Sequence, residues 1–350
     1  MISMDSEERF DLLTRNAEEV VTHEELKKLL ETNDRPKGYV GFEPSGLVHL
    51  GWVIISNKVR DFVDAGFDFT VFFADWHAYI NDKLGGNIDT IRICARYMED
   101  CFEALGVPRD KVNFIYAFEL MDNIDYWSKV ISIGKNSTLS RVKRAMTIMG
   151  REGDEAEVDT SKVMYPLMQA ADIFALDVDV AYAGIDQRRA HMLAREAADK
   201  LGWKKPVALH TPLLSSLKGG DRMDPLAAKM SKSDPDSGIM IHDSPEDIRR
   251  KIKKAFCPPE AEGNPILDIC RFIIFQRMDV LKIDRPEKFG GTLVFESYPA
   301  LEESYVAGQL HPMDLKNGTA SALVEMLAPV REFFEKHPEN LDRIREIINK

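Results

Sequence analysis

The sequence predicts a doubly wound α/β domain, with helices on both faces of a parallel sheet, followed by a mostly helical C-terminal domain. Three observations carry this reading. Strand-like and helix-like segments alternate from about residue 33 to 213, with crossovers long enough for helices, the arrangement that gives parallel sheets. Gly219, Gly220, Pro225, Pro235 and Gly238 then interrupt any regular element. After Asp243 the pattern stays mostly helical to Lys350. A chain of 350 residues exceeds what one compact core usually takes, so two domains are expected. The expected organisation is N-terminal helices over 1–32, the α/β domain over 33–213, a loop and linker over 214–243, and the helical domain over 244–350.

Each element has a local reason. Residues 5–32 read as helical, and Thr22 with Glu25 three later makes a capping-box pattern ahead of Leu26, Leu29 and Leu30. Gly38–Phe42 reads as a short buried strand, and Glu43-Pro44-Ser45-Gly46 is turn chemistry. A helix is expected from about His49 to Phe62, a strand over Phe69–Phe73 and a helix over Ile88–Leu105. Val112–Tyr116 is the third strand, and helices fill about 124–150 and 161–176. Val178–Ala183 is a strand, Asp186–Leu201 a helix, and Val207–His210 the last strand.

Composition is that of an ordinary globular protein: 44% hydrophobic, 30% charged and 9% aromatic. Net charge is 46 − 58 = −12, which argues against a nucleic-acid binder that works through a broad basic field. Local basic patches could still meet a nucleic acid. Cys94, Cys101, Cys257 and Cys270 form no C-x-x-C pair, so neither a metal site nor a disulfide is expected, and a reduced, cytoplasmic setting is the natural reading. The start, MISMDSEERF, is no signal peptide, and no apolar run approaches the ~18 residues of a membrane span.

Two segments carry chemistry. The first strand, loop and helix read YVGFEPSGLVHLGW, with glycines at 41, 46 and 51 but without dinucleotide G-x-G-x-x-G spacing. A phosphate there could use the helix N-terminus, and the His49 imidazole could donate to its oxygen. Gly51 would leave room for a purine or ribose. Taken alone, His49 reads as a plain helix-entry residue rather than a ligand. The second segment, Lys229-Met230-Ser231-Lys232-Ser233, places two lysines three apart in a Gly/Pro-rich loop, a compact donor cluster or an ordinary solvated loop.

As a pair, in this order, His49-Leu50-Gly51 and KMSKS resemble the two signatures of class I aminoacyl-tRNA synthetases. GFEPSG, ADWHAY (74–79), MYPLMQAADI (164–173), GIDQRRAHMLARE (184–196) and HPMDLKN (311–317) further resemble the archaeal/eukaryotic tyrosyl-tRNA synthetases, over about residues 8–335. The resemblance implies a Rossmann-like catalytic domain, an anticodon-binding C-terminal domain and two-step ligation of tyrosine to tRNA(Tyr). ATP would be the co-substrate, with Mg²⁺ arriving on it.

Carried over position by position, the resemblance puts Tyr39 and Asp172 at the substrate phenol, and Tyr165, Gln169 and Gln187 around its amino group. Tyr165, Gln169 and Asp172 are spaced i, i+4, i+7, so they share one helix face, a wet pocket or else a solvent-facing polar stripe. The ATP side would comprise Gly41, His49, Gly51, Trp52, Lys229, Met230, Ser231, Lys232 and Ser233. No side-chain nucleophile and no Walker A loop is present, so catalysis must come from positioning and phosphate charge stabilisation, assigned to His49, Lys229 and Lys232. Arg141, Lys143 and Arg144 would meet the acceptor stem, or be solvated helix charge. Arg249-Arg250-Lys251 and Lys253-Lys254 read as an exposed helix face without a role. Phe289, His311 and Asp314 match the segment that reads the first anticodon base, where unpaired bases suit stacking and edge recognition. Alternatively, Pro312 opens a helix whose dipole Asp314 favours.

The signature often ends in a second histidine where this chain has Trp52. Its indole is expected beside the nucleotide, the rival placement being the core behind the helix. A tryptophanyl-tRNA synthetase, a small-molecule adenylyltransferase and a non-catalytic tRNA-binding relative are the competing functions. Tyr39 with Asp172 favours a phenol, the helical C-terminal domain disfavours the adenylyltransferase, and both signature lysines favour a working enzyme. The resemblance further implies a homodimer joined through the α/β domain, with no membrane association.

Overall fold

Capping sets many element ends in the computed structural model, which describes residues 4–149, 159–219 and 237–349. Thr22 and Glu25 close the capping box expected of them. Asn87, Asp159, Ser244 and Asn264 likewise satisfy the first free N–H groups of their helices.

Two compact units result. The first holds residues 1–47, 55–212 and 339–350. Its strands are β1 (Glu19–Val21), β2 (Lys37–Phe42), β3 (Asp68–Phe73), β4 (Val112–Tyr116), β5 (Val180–Gly184) and β6 (Val207–Thr211). They form one sheet in the order β1-β6-β5-β2-β3-β4, parallel except for β1. The helices are α1 (Ser6–Thr14), α2 (His23–Thr32), α3 (Trp52–Asp64, of which 55–64 fall in this unit), α4 (Asp75–Ile80), α5 (Ile88–Ala104), α6 (Ala117–Met121), α7 (Ile124–Lys135), α8 (Leu139–Ala145), α9 (Thr160–Ala175) and α10 (Arg188–Leu201). This is the doubly wound α/β sheet that the alternating pattern predicts.

β2 lies at the centre, with Tyr39 opposite Thr70 on β3 and Ala181 on β5. Buried aromatic rings fill the interior, Phe62 stacking obliquely near Phe69 and Tyr182. Gly38 is forced by this packing, because a Cβ there would sit 2.7 Å from the Phe69 ring. Buried cations tie down α1. Arg9 donates to Ala65 O and Leu30 O, and Lys58 donates to Leu13 O and Arg15 O, which satisfies carbonyls left over at helix ends.

The second unit holds residues 48–54 and 213–338. It contains α11 (Pro245–Lys254), α12 (Pro265–Phe272), the antiparallel pair β7 (Leu281–Ile283) and β8 (Leu293–Phe295), α13 (Tyr298–Val306), α14 (Pro312–Met326) and α15 (Ala328–Lys336). The chain ends in α16 (Glu339–Ile348), which packs on α5 of the first unit.

Several local expectations are corrected. The stretch 5–32 is not all helix, because β1 pairs with β6 along the sheet edge. Three residues are too few to leave a strand pattern. The third helix begins at Trp52, not His49. His49 is extended and bridged to Met240, a long-range pairing that propensity cannot see. The expected helical region 124–150 breaks after Lys135, where Thr138 starts a new cap. The hairpin β7–β8 interrupts the helical C-terminal region. Finally, residues 48–54 cluster with the second unit and 339–350 with the first, across the boundaries expected at 213 and 244.

Candidate active site

α9 brings Tyr165, Gln169 and Asp172 to one face. Tyr165 and Asp172 are 5% and 2% exposed, and Gln169 is half-buried. The stripe therefore points inward, and the solvent-facing alternative is excluded. Asp172 Oδ1 accepts a hydrogen bond from Tyr126 Oη at 2.8 Å. Its Oδ2 lies 3.1 Å from His77 Nε2, an ion-pair distance without hydrogen-bond alignment. Burial opposes charging of His77, but Asp172, with Glu43 and Asp75, more than offsets it and raises its pKa. Tyr39, from β2, is 1% exposed, and burial followed by the charge of Asp172 holds its phenol protonated. Burial and then Glu43 do the same for Tyr165, whose ring meets His77 edge-on at 5.2 Å.

Gln169 Nε2 donates to Gln187 Oε1 at 3.2 Å, and Gln187 Nε2 donates to Ile148 O and to Asp186. Gln169 Oε1 is buried and has no hydrogen-bond partner among the described residues. Tyr39, Tyr165, Gln169, Asp172 and Gln187 thus belong to one polar cluster. It can accept a hydroxyl proton at Asp172 and receive an amino group at the glutamine oxygens. At Gly41 a Cβ would make only ordinary contact, 3.4 Å from the Tyr39 ring, so the protein's own packing does not demand glycine there.

The second unit holds His49. Leu50 N donates to Ile239 O at 2.7 Å, and Ile241 N donates to Val48 O at 3.1 Å, so the turn is pinned on both sides of the His49–Met240 bridge. His49 Nδ1 accepts from Gly51 N at 3.1 Å. A neutral imidazole with Nδ1 accepting carries its proton on Nε2, a donor suited to a phosphate oxygen. Burial lowers the His49 pKa to about 4, so this neutral tautomer holds at pH 7. A Cβ on Gly51 would lie 2.9 Å from His49 Cε1, so the glycine makes room for the histidine ring itself. Trp52 opens α3 half-buried, its backbone N–H donating to His49 O at 3.0 Å. The helix expected from His49 therefore starts only at Trp52, and His49 lies outside its first turn. Lys229, Met230, Ser231, Lys232 and Ser233 lie outside the described residues.

A family model described as tRNA synthetases class I (W and Y) matches residues 31–328. The chain belongs to this family. A tyrosine–tRNA ligase of Aeropyrum pernix is 53% identical over 342 residues, covering 95% of this chain and 94% of the relative. The crystal structure of tyrosyl-tRNA synthetase from Aeropyrum pernix matches with TM-score 0.90 and 48% identity, over 99% of this chain and 100% of that one. A tyrosyl-tRNA synthetase from Pyrococcus horikoshii, complexed with L-tyrosine, matches with TM-score 0.92 and 43% identity, over 98% and 100%.

For a class I synthetase, several polar residues assigned to the tRNA have other company. Arg141 is engaged with Glu196 through three short hydrogen bonds and is only 16% exposed, so its reach toward a nucleic acid is limited. Lys143 and Arg144 are exposed on the same helix. Phe289 is 60% exposed under the Lys288 ammonium. His311 caps α14, its Nδ1 accepting from Met313 N at 3.1 Å, and Asp314 lies in the first turn. The helix-opening role of Pro312 is therefore real. Two members of this synthetase's polar cluster escaped sequence reasoning. His77 lay inside ADWHAY without a role, and Tyr126 sat in a stretch read as generic helix. Only the fold brings them to Asp172.

Proposed function

We propose that this class I synthetase activates L-tyrosine and ligates it to tRNA(Tyr). The tyrosine carboxylate attacks the α-phosphorus of ATP and expels pyrophosphate. The terminal ribose hydroxyl of the tRNA then attacks the carbonyl of the tyrosyl-adenylate, and AMP leaves. The observation that carries the choice of tyrosine is buried Asp172, flanked by Tyr39, Tyr126 and His77. A site built to pair a substrate hydroxyl rejects an analogue lacking it, because its buried polar groups are then left unpaired. An indole, the tryptophanyl alternative, carries an N–H but presents no phenol oxygen to this constellation.

Gln169, Gln187 and Tyr165 receive the amino-acid head in this reading. His49 donates from Nε2 to the ATP phosphates, with Gly41, Gly51 and Trp52 on the nucleotide side. Lys229 and Lys232, with Met230, Ser231 and Ser233, stabilise the charge that grows on the leaving pyrophosphate. Mg²⁺ comes with the nucleotide. Phe289, His311 and Asp314 meet the anticodon, and Lys143 and Arg144 the acceptor stem. Exposed Phe118, Ile124, Ile131 and Leu139 on α6–α8 support a homodimer joined through the α/β domain. The four unpaired cysteines favour a cytoplasmic setting. Exchange of labelled pyrophosphate into ATP, run with each of the twenty amino acids, tests the reading. Tyrosine alone should support fast exchange; exchange driven by tryptophan, or by none, would refute it.

A further inference from the structure

The basic run from Arg249 to Lys254 takes no part in the chemistry above. Arg249, Arg250, Lys253 and Lys254 are exposed, as a solvated helix face should be. Lys251 is not. It is 5% exposed and shares the inward face of α11 with Ile248 and Ile252, at 0% and 1%. A lysine this far from water needs a partner. Lys251 Nζ donates to Asp243 Oδ2 at 2.6 Å. The same oxygen accepts from Met240 N at 2.9 Å, while Asp243 N donates to Met240 O at 3.0 Å. Asp243 therefore holds both backbone groups of Met240, the residue bridged to His49. Ile239 and Ile241, each fully buried, anchor the strand on either side. Lys251, Asp243, Met240 and His49 form one continuous chain of contacts inside a single compact unit.

We propose that Lys251 is a positioning residue for His49, acting through Asp243. This rests on the reading of His49 as a donor to the ATP phosphates. The ammonium keeps the Asp243 carboxylate turned inward. Without it the carboxylate is a largely buried, uncompensated charge, which turns toward water or takes up a proton. Either change weakens its hold on Met240, and the bridge that sets the His49 backbone loosens. Misplacement of a catalytic donor by ~1 Å costs about 100-fold in rate, so a partial loosening is already measurable.

The test uses the full chain and tyrosine-dependent pyrophosphate exchange, with melting temperatures alongside. Lys251→Met should lower kcat about tenfold, with the KM for tyrosine unchanged to within about twofold. Asp243→Ala should do the same, and it carries the test if Lys251→Met fails to fold. Asp243→Asn should keep more than about half of kcat, because its amide oxygen accepts from Met240 and needs no counter-ion. Adding Asp243→Asn to Lys251→Met should recover activity to within about threefold of wild type. Wild-type kcat in Lys251→Met and Asp243→Ala overturns the proposal. So does a double variant no better than Lys251→Met, or a loss confined to melting temperature. His49→Ala keeps the two readings apart. If it exchanges at the wild-type rate, the role of His49 fails; if it is slow while Lys251→Met is normal, only the present inference fails.

Discussion

The Tyr126 hydroxyl donates a 2.8 Å hydrogen bond to Asp172 Oδ1 and so ties α7 to α9 at the buried carboxylate. A hydrogen bond to a charged group contributes about 1.5–3 kcal/mol, so Tyr126→Phe should lower kcat/KM for tyrosine by roughly 10–100-fold. Asp172→Ala should go further and remove most of the preference for tyrosine over phenylalanine. The check is the ratio of kcat/KM for the two amino acids. An unchanged ratio in Asp172→Ala would place the phenol pocket elsewhere.

Gly51 and Gly41 make a matched pair. At Gly51 a methyl would strike the His49 ring at 2.9 Å, whereas at Gly41 it would rest in ordinary contact. Gly51→Ala should therefore displace the imidazole and slow adenylate formation about 10–100-fold, with tyrosine binding intact. Single-turnover adenylation with a fluorescence titration of tyrosine separates the two effects. Gly41→Ala should leave the melting temperature unchanged, so any rise in its KM for ATP reports the nucleotide itself. A normal adenylation rate in Gly51→Ala would contradict the role given to His49.

Acid should weaken the fold through a histidine pair. His191 Nδ1 lies 3.0 Å from His210 Nε2, with both rings buried and stacked. Burial lowers both: His210 to about 4 despite Glu19, and His191 well below its ordinary value, with His210 adding to the effect. Each folded-state value lies below the unfolded ~6.5, so the stabilisation is complete above that pH and is lost as pH falls toward the folded values. Between pH 6 and 5 the unfolded chain holds about 1.5 to 1.9 protons on these two histidines, while the folded chain holds almost none. Unfolding free energy from urea titrations should fall there about 2 kcal/mol per pH unit more steeply in wild type than in His191→Gln/His210→Gln. Equal slopes would show that the pair does not titrate on unfolding.

Asp314 sits in the first turn of α14, where His311 supplies the cap. Loss of an acid at a helix start costs only about 0.3–1 kcal/mol, so Asp314→Ala should remain folded. Tyrosine-dependent pyrophosphate exchange should be normal and aminoacylation slower, to a degree that depends on the first anticodon base. Equal losses for every base at that position would reduce Asp314 to a helix-dipole residue.

Much of this was legible in the sequence, because the signals are local. β2 to β6 follow from short apolar runs between turn residues, and the α9 face follows from i, i+4, i+7 spacing. What escaped depends on partners far along the chain. Nothing near His49 reveals that Met240 holds it extended, and so that its helix starts three residues later. Nothing in Arg249-Arg250-Lys251 marks the one cation that turns inward, since Asp243 is its partner only once α11 has packed. Tyr126 and His77 come from α7 and α4, and only the sheet topology brings them to Asp172. β1 was missed because three residues carry too little pattern.

Charging of tRNA(Tyr) with tyrosine is measured most directly by aminoacylation of purified tRNA transcripts with labelled amino acids. Tyrosine should accumulate on tRNA(Tyr), with kcat/KM at least about 1,000-fold above that for phenylalanine, and tRNA(Trp) should stay uncharged with either tyrosine or tryptophan. Tryptophan accumulating on tRNA(Trp), or tRNA(Tyr) bound without any amino acid transferred to it, would contradict the account.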